Sequence, residues 1–284
     1  NHYGKTPPCT KSIINNGIKQ VYYSINDIDK RVKGKSLKIL SQSNIKVKKG
    51  LLKKEVTEHY DSYFTNKIKK LPYVTGKIAI SNNKLIYSKG IRKITDKDSE
   101  KLSHYLRFKN DALMISSKTL NIDNPKLNCR LKGYEQFSPI RVILDKFLDI
   151  KITSFVFKSS KKGNTIIFHN SLNKSKIKIL KKKGINLIKS KLDKDKHFDI
   201  KIVLKKLFKL GIKNLLVEGG DNITKNLLKN RLFNQFYLFK SQKNLSKSKE
   251  FQIFTSLNIL KKMYSLQSRF ITKLAKDNIT IYKR

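Results

Sequence analysis

The chain has little of several things, and each shortage excludes something. It contains two cysteines in 284 residues, Cys9 and Cys129, far apart in sequence. They cannot make a disulfide scaffold, and such sparing use fits a reducing cytoplasm, the expected location. No apolar run approaches the roughly 18–20 residues that cross a bilayer, so an integral membrane protein is excluded. No Cys-x-x-Cys and no His-x-Glu occurs, so a complete zinc site cannot be assembled from the chain alone. There is no internal repeat. No charged segment followed by an apolar one succeeds Asn1, so no secretory signal is expected, and the chain reads as opening inside a domain. Acidic residues are few: 20 against 64 lysines and arginines, a formal net charge of +44. Such a surplus points to nucleic acid or anionic lipid. Here, however, it is mostly lysine, spread along the whole chain, accompanied by heavy use of Ile and Asn, and without regularly interleaved aromatics. A solvated, composition-driven surface whose field attracts phosphorylated small molecules is the preferred reading; a dedicated nucleic-acid face is the alternative.

What is present is a core and an α/β rhythm. Hydrophobic residues make up 38% of the chain, enough to bury a core in one large domain or two modest ones. A short helix is expected from near Pro8 to a stop at Gly17, placing Cys9 at a helix start, where the dipole attracts negative charge. Val21–Ile25 reads as a strand, Lys35–Ser41 as a helix, and Ile45–Val47 as a short strand. Leu52–Lys69 is polar and helix-like, and links two units. A second unit starts at Leu71-Pro72. Strands are expected at Tyr73–Ile80, Asp111–Ile115, Val142–Leu144, Ser154–Phe157, Thr165–Phe168, Asn214–Val217, Phe236–Phe239 and Ile279–Tyr282. Helices are expected at Ser99–Lys109, with Leu102, Tyr105 and Leu106 on one face, and at Asn173–Lys182 and Ile200–Leu210. Lys240–Glu250 reads as a mobile loop.

Three constellations could carry chemistry. His2 with Pro7-Pro8-Cys9 offers one convincing metal ligand, Cys9, or simply a buried cysteine. Val217-Glu218-Gly219-Gly220-Asp221 delivers paired glycines from a strand to a helix start, where backbone N–H groups cradle phosphate; a tight turn explains the glycines equally well. Arg107, Thr119, Asp123, Leu127 and Arg130 place two guanidinium forks near one loop, suited to a phosphate or to an ion pair.

Together these segments resemble a known family, the bifunctional riboflavin-biosynthesis deaminase/reductases. His2-Tyr3-Gly4-Lys5-Thr6-Pro7-Pro8-Cys9-Thr10 is similar to the family's segment around its last zinc cysteine. Arg107 falls on its "LR", Asp111-Ala112 on its "DA", Thr119 to Arg130 on "T-x-x-x-D-x-P-x-L-x-x-R", Pro139–Asp145 on "P-x-R-V-V-L-D", and Val217–Gly220 on "VEGG". The resemblance implies a fold of two α/β parts: residues 1–70, a partial cytidine-deaminase-like zinc domain plus linker, and residues 71–284, a dihydrofolate-reductase-like domain. It implies an NADPH-dependent reduction of 5-amino-6-(5-phosphoribosylamino)uracil, with the phosphoribosylamino-pyrimidine as substrate partner. Zinc would be a cofactor only with ligands beyond this chain; Cys9 would be one of them, and zinc is expected to be substoichiometric. It implies NADPH contacts at Ala79, Thr119, Asp123, Gly220, Asp221, Asn222, Ile223, Thr224, Lys225 and Asn226. Substrate contacts would be Arg107, Leu127, Arg130 and Glu218, both arginines on the phosphate, with Glu218 and Asp123 as the catalytic carboxylates. A homo-oligomer is expected, with neither membrane nor specific nucleic acid as partner. A non-catalytic paralogue serving as scaffold is the alternative. The chain departs from the family pattern at Ser81-Asn82-Asn83-Lys84 (usually Ser-Leu-Asp-Gly), at Ile91 and Lys93 (Ser and Trp), at Lys146 (a small hydroxyl residue), and at Lys240–Lys243 (a Pro-containing loop).

Overall fold

The computed structural model describes all residues except 1–6, 30, 31, 92 and 273–275, so His2 to Thr6 of the first motif lie outside the described residues. The chain divides into two compact units, Asn1–Lys70 and Leu71–Arg284. In the first, α1 (Cys9–Asn15), β1 (Gln20–Tyr23), α2 (Lys35–Gln42) and β2 (Lys46–Lys49) form a small layer in which β1 and β2 pair in parallel. The polar stretch that follows is helical but broken, into α3 (Lys53–His59), α4 (Asp61–Phe64) and a π-helical turn, Thr65–Lys69. Lys70 ends it in the left-handed region, at φ 53.

The second unit is built on a nine-stranded sheet. Its elements run β3 (Tyr73–Ile80), β4 (Leu85–Ser88), α5 (Lys97–Phe108), β5 (Ala112–Ser116), α6 (Ser117–Asp123), β6 (Ile140–Leu144), α7 (Phe155–Lys158), β7 (Thr165–His169), α8 (Lys174–Lys182) and β8 (Asn186–Lys189). They continue with α9 (Ile200–Lys209), β9 (Asn214–Val217), α10 (Asp221–Lys229), β10 (Gln235–Lys240), β11 (Phe251–Ile253), α11 (Leu257–Met263), β12 (Ser265–Ile271) and β13 (Asn278–Lys283). The sheet order is β12-β13-β10-β3-β9-β5-β6-β7-β8. From β10 to β8 every neighbouring pair is parallel; β13 runs antiparallel to both β10 and β12. The central strands are almost continuously apolar, as strands covered on both faces must be. One face packs on α9, α10 and α11 through Val203, Leu207, Leu227 and Leu260. The other packs on α5, α6, α7 and α8 through Leu106, Leu120, Val156 and Leu180. β4 and β11 form a separate antiparallel pair.

The chain moves outward from β5 to β8, then returns to insert β9 between β3 and β5, before β10 is added on the far side of β3. That reversal leaves a crevice at the carboxyl ends of β3, β9 and β5, where open α/β sheets bind ligands.

The α/β reading holds, and several local expectations do not. Ser154–Phe157 is not a strand: Ser154 caps α7, its Oγ accepting the Phe157 N–H at 3.2 Å. In α5 the buried residues are Ser99, Ser103, His104 and Leu106, while Tyr105 is exposed. Asp123 is the last residue of α6. Lys240–Glu250 is pinned to the β3–β4 turn: Asn83 Nδ2 donates to Leu245 O at 2.8 Å, and Ser88 Oγ to Ser246 O at 2.7 Å. In that turn Ser81 Oγ accepts the Leu85 N–H at 2.9 Å, and Lys84 takes φ 65.

Gly76 lies in the middle of β3, opposite Phe236 of β10. A Cβ there would stand 2.3 Å from Phe236 Cδ2 and 2.7 Å from Phe233 Cε1. Both rings are fully buried, so neither can give way cheaply. Gly76→Ala is expected to lower unfolding stability by about 1–3 kcal/mol, read as a fall in the urea midpoint with an unchanged slope; an unchanged midpoint would show that the two rings are not held against the strand.

Candidate active site

The crevice at the carboxyl edge is a cleft of about 750 Å³, within the usual size of a small-molecule site. Ala79, Arg107, Thr119, Asp123, Leu127 and Arg130 all line it, as do Glu218 and Gly220–Ile223. Thr224, Lys225 and Asn226 do not belong to that wall. Thr224 is buried, its Oγ1 donating to Gly219 O at 3.5 Å, and Asn226 O accepts from Asn230 further along α10. Lys225 and Asn226 stand one turn further along α10 than Asp221 and Asn222.

Arg107 and Glu218 meet at the cleft's centre. Arg107 is carried by the last turn of α5, and Glu218 follows the end of β9, its N–H donating to Met114 O at 3.1 Å. The guanidinium donates from Nε to Oε1 at 2.9 Å and from Nη2 to Oε2 at 2.8 Å, while Nη1 donates to Asn128 O at 3.1 Å. Both side chains are nearly buried, 13% and 14% exposed. Burial pushes the Glu218 carboxyl up, but the Arg107 charge, its hydrogen bonds and the Lys77 charge outweigh burial and hold it at about 2. Glu218 is therefore a fixed anion. Of the two roles open to Arg107, a phosphate contact or an ion pair, the structure shows the ion pair, made with Nε and Nη2.

Lys77 was not anticipated. It points from β3 into the cleft, its Nζ 4.9 Å from the centroid of the Phe239 ring. Burial lowers its pKa, opposed by Glu218 and reinforced by Arg107. The signal was available: one charge in the middle of an otherwise apolar central strand. His104 was missed for a related reason. Glu100, Ser103, His104 and Arg107 recur at helical spacing, and this polar stripe of α5, not only an apolar one, faces inward. His104 Nδ1 accepts the Arg130 N–H at 3.2 Å, and burial, with Arg107 and Arg130 nearby, lowers its pKa to about 4.

The opposite wall is suited to a phosphorylated cofactor. Gly220 caps α10 with no side-chain cap bond, so the first N–H groups of a nine-residue helix have no side-chain partner from the cap. A Cβ on Gly220 would meet only Gln252 Oε1 and Thr119 Oγ1, both at 3.9 Å, so the backbone faces open cleft. Gly219 has a packing role instead: its Cβ would lie 1.9 Å from Ile223 Cγ2. Asp221 is tied to the next loop, accepting the Thr255 N–H at 3.0 Å and the Ser256 hydroxyl at 2.8 Å. Thr119 shares a 3.1 Å hydroxyl contact with Ser116. Asp123 is exposed along the cleft wall, and the desolvation it does meet raises its pKa. Leu127 is buried with φ 53, a left-handed conformation unusual for leucine, which holds the loop between Asp123 and Arg130 against the cleft.

In the first unit, Cys9 is exposed at the head of α1. Among the described residues no three of His, Cys, Asp and Glu cluster closely enough to hold a metal ion, so the donors described do not fit a zinc site. No helix among them is long and apolar enough to cross a membrane.

The family described as RibD C-terminal domain matches residues 72–275. The chain is 30% identical to "Riboflavin biosynthesis protein RibD" of Aquifex aeolicus over 285 aligned positions, covering 100% of this chain and 78% of that protein. It is 29% identical to the Actinobacillus pleuropneumoniae protein of the same name, over 85% of this chain and 64% of that protein. Among solved structures, the Thermotoga maritima diaminohydroxyphosphoribosylaminopyrimidine deaminase/5-amino-6-(5-phosphoribosylamino)uracil reductase superimposes with a TM-score of 0.77 at 27% identity, over 99% of this chain and 76% of that one.

The depressed pKa values of His104 and Glu218 make the fold sensitive to acid. His104 has a folded pKa of about 4 against 6.5, so its contribution is lost as pH falls from about 6.5 to 4. Glu218, at about 2 against 4.5, contributes fully above about 4.5 and loses that contribution on descent toward 2. Its share is on the order of 3 kcal/mol. Unfolding free energy measured against pH is expected to lose its lower limb in Glu218→Gln; a limb as steep as in the parent protein would contradict the ion-pair assignment.

Proposed function

The chain belongs to the RibD C-terminal domain family, and from that membership we propose that it carries out the reductase step of riboflavin biosynthesis, using NADPH to reduce 5-amino-6-(5-phosphoribosylamino)uracil to its ribitylamino product. The observation that carries the reading is the convergence of Arg107, Asp123, Arg130 and Glu218 on one cleft, together with an uncapped helix start that opens into it.

The wall formed by Gly220, the first turn of α10, Ser116 and Thr119 fits a dinucleotide: backbone N–H groups for phosphate oxygens and hydroxyls for ribose. When bound, the cofactor supplies the hydride. The sugar carbon gains that hydride, the bond from that carbon to the ring oxygen breaks, and the ring oxygen gains a proton. Glu218 cannot supply this proton, because its carboxyl stays ionised down to about pH 2. Its remaining lone pairs accept from the substrate's N–H or O–H groups, while Arg107 keeps it oriented. Lys77 is the donor this reading selects. It stands in the cleft as an ammonium whose proton is loosened by burial, the usual way a lysine is brought toward working pH. Arg130, with 41% of its side chain exposed, is the arginine left with room to meet the substrate phosphate.

Purified protein is expected to oxidise NADPH only when the phosphoribosylamino-pyrimidine is present, one equivalent per ribityl chain formed. Lys77→Met should cut kcat by about 10²–10⁴ while NADPH still quenches the protein's tyrosine fluorescence. Arg130→Ala should raise the substrate KM and leave NADPH affinity unchanged. NADPH binding without any turnover would instead favour a non-catalytic scaffold, and equal loss of both affinities in Arg130→Ala would remove the phosphate role.

A further inference from the structure

One corner of the cleft already holds an anion supplied by the protein. The Glu100 carboxylate, on the inward stripe of α5, accepts from Lys93 Nζ at 2.7 Å and from Arg130 Nη2 at 3.4 Å. His104 Nε2 faces the same carboxylate at 4.0 Å. Because His104 Nδ1 accepts the Arg130 N–H, the proton of the neutral ring resides on Nε2, so this nitrogen presents a donor. Arg130 Nη1 is steadied by Asn128 Oδ1 at 3.0 Å. Two cations and one N–H thus converge on a single carboxylate, and all four residues line the cleft.

The charges do not suit simultaneous occupancy. A phosphate monoester carries close to two negative charges near neutrality. Set beside Glu100 it would face a like charge; set in its place it would be matched by Lys93 and Arg130. Glu100 is free to leave, since its side chain is 34% exposed and its partners are 67% and 41% exposed. Ion pairs this open to water are each worth about 1 kcal/mol or less, whereas charge-assisted bonds to phosphate are stronger.

We propose that Glu100 is a placeholder for the substrate phosphate: the corner formed by Lys93, Arg130 and His104 is the phosphomonoester subsite, and Glu100 swings out of it as the phosphate enters. The proposal rests on the reading above in one respect, that the substrate carries a phosphate on its ribose. It makes Glu100 a specificity device. A ribosyl compound without phosphate cannot displace the carboxylate and leaves the corner closed by its own ion pairs.

The test is calorimetric titration of the full chain with ribose 5-phosphate and, separately, with ribose. Glu100→Gln keeps the side chain's shape and an acceptor for Lys93 but removes the competing charge. It is expected to bind ribose 5-phosphate roughly three- to tenfold more tightly, with no change for ribose. Lys93→Met, at an exposed position where folding is not at stake, should weaken ribose 5-phosphate binding by a similar factor. Unchanged or weaker binding in Glu100→Gln overturns the placeholder role, as does equal tightening of ribose, and so does an absence of ribose 5-phosphate binding in parent and variant alike. NADPH turnover without Glu100→Gln tightening would sink only this inference. Loss of turnover in the parent protein would sink the reductase reading, while the titration would still decide the subsite.

Discussion

The buried pair of Arg107 and Glu218 is the interaction on which the second unit's chemistry depends. It joins the last turn of α5 to the end of a central strand by two short hydrogen bonds, and a third ties in the Asn128 carbonyl. A charge removed from water this completely is tolerated only with a partner, and removing either member would leave the other stranded. The pair also sets the electrostatics of its surroundings: Glu218 keeps a permanent anion at the cleft floor and gives Lys77 an opposite charge to face, while Arg107 helps to hold His104 neutral.

The far end of α5 is fixed just as deliberately. Asp277 Oδ2 accepts the Asp96 N–H at 2.7 Å and the Ser99 hydroxyl at 2.8 Å, while Asp96 Oδ1 caps the helix by accepting the Ser99 N–H. With both ends held, the polar stripe Glu100–Ser103–His104–Arg107 cannot rotate away from the sheet. The reductase reading therefore assigns separate tasks to separate walls. The head of α10 and the hydroxyls opposite it offer donors for a dinucleotide, the floor offers an ammonium and a carboxylate, and the outer corner offers cations.

Much of this was legible in the sequence, and the failures have physical causes. Tyr73–Ile80 and Asn214–Val217 announce themselves because central parallel strands must be apolar on both faces. The motif residues from Thr119 to Arg130 and the Glu218–Gly220 turn fall together because each follows a strand whose carboxyl end reaches the same edge. Edge elements were less visible. β8 alternates imperfectly, and every residue of β12 is exposed, so neither carries the periodicity that burial imposes. Ser154–Phe157 has strand-like composition, yet one serine cap turns it into a helical turn. In α5 and β3 apolar spacing does not mark the face that lines the cleft. At a ligand site the inward face is polar, so Glu100, His104 and Lys77 escaped a reading tuned to hydrophobic spacing.

In the proposed reaction a reduced nicotinamide and a ribose carbon meet directly within one cleft. Its most direct measurement follows a label. Turnover with NADPH carrying deuterium at the transferable position of nicotinamide C4, followed by mass spectrometry and NMR of the product, should place one deuterium on the ribityl carbon bonded to the amine nitrogen. Product formed with that carbon free of deuterium, or with the label lost to water, would contradict direct transfer within this cleft.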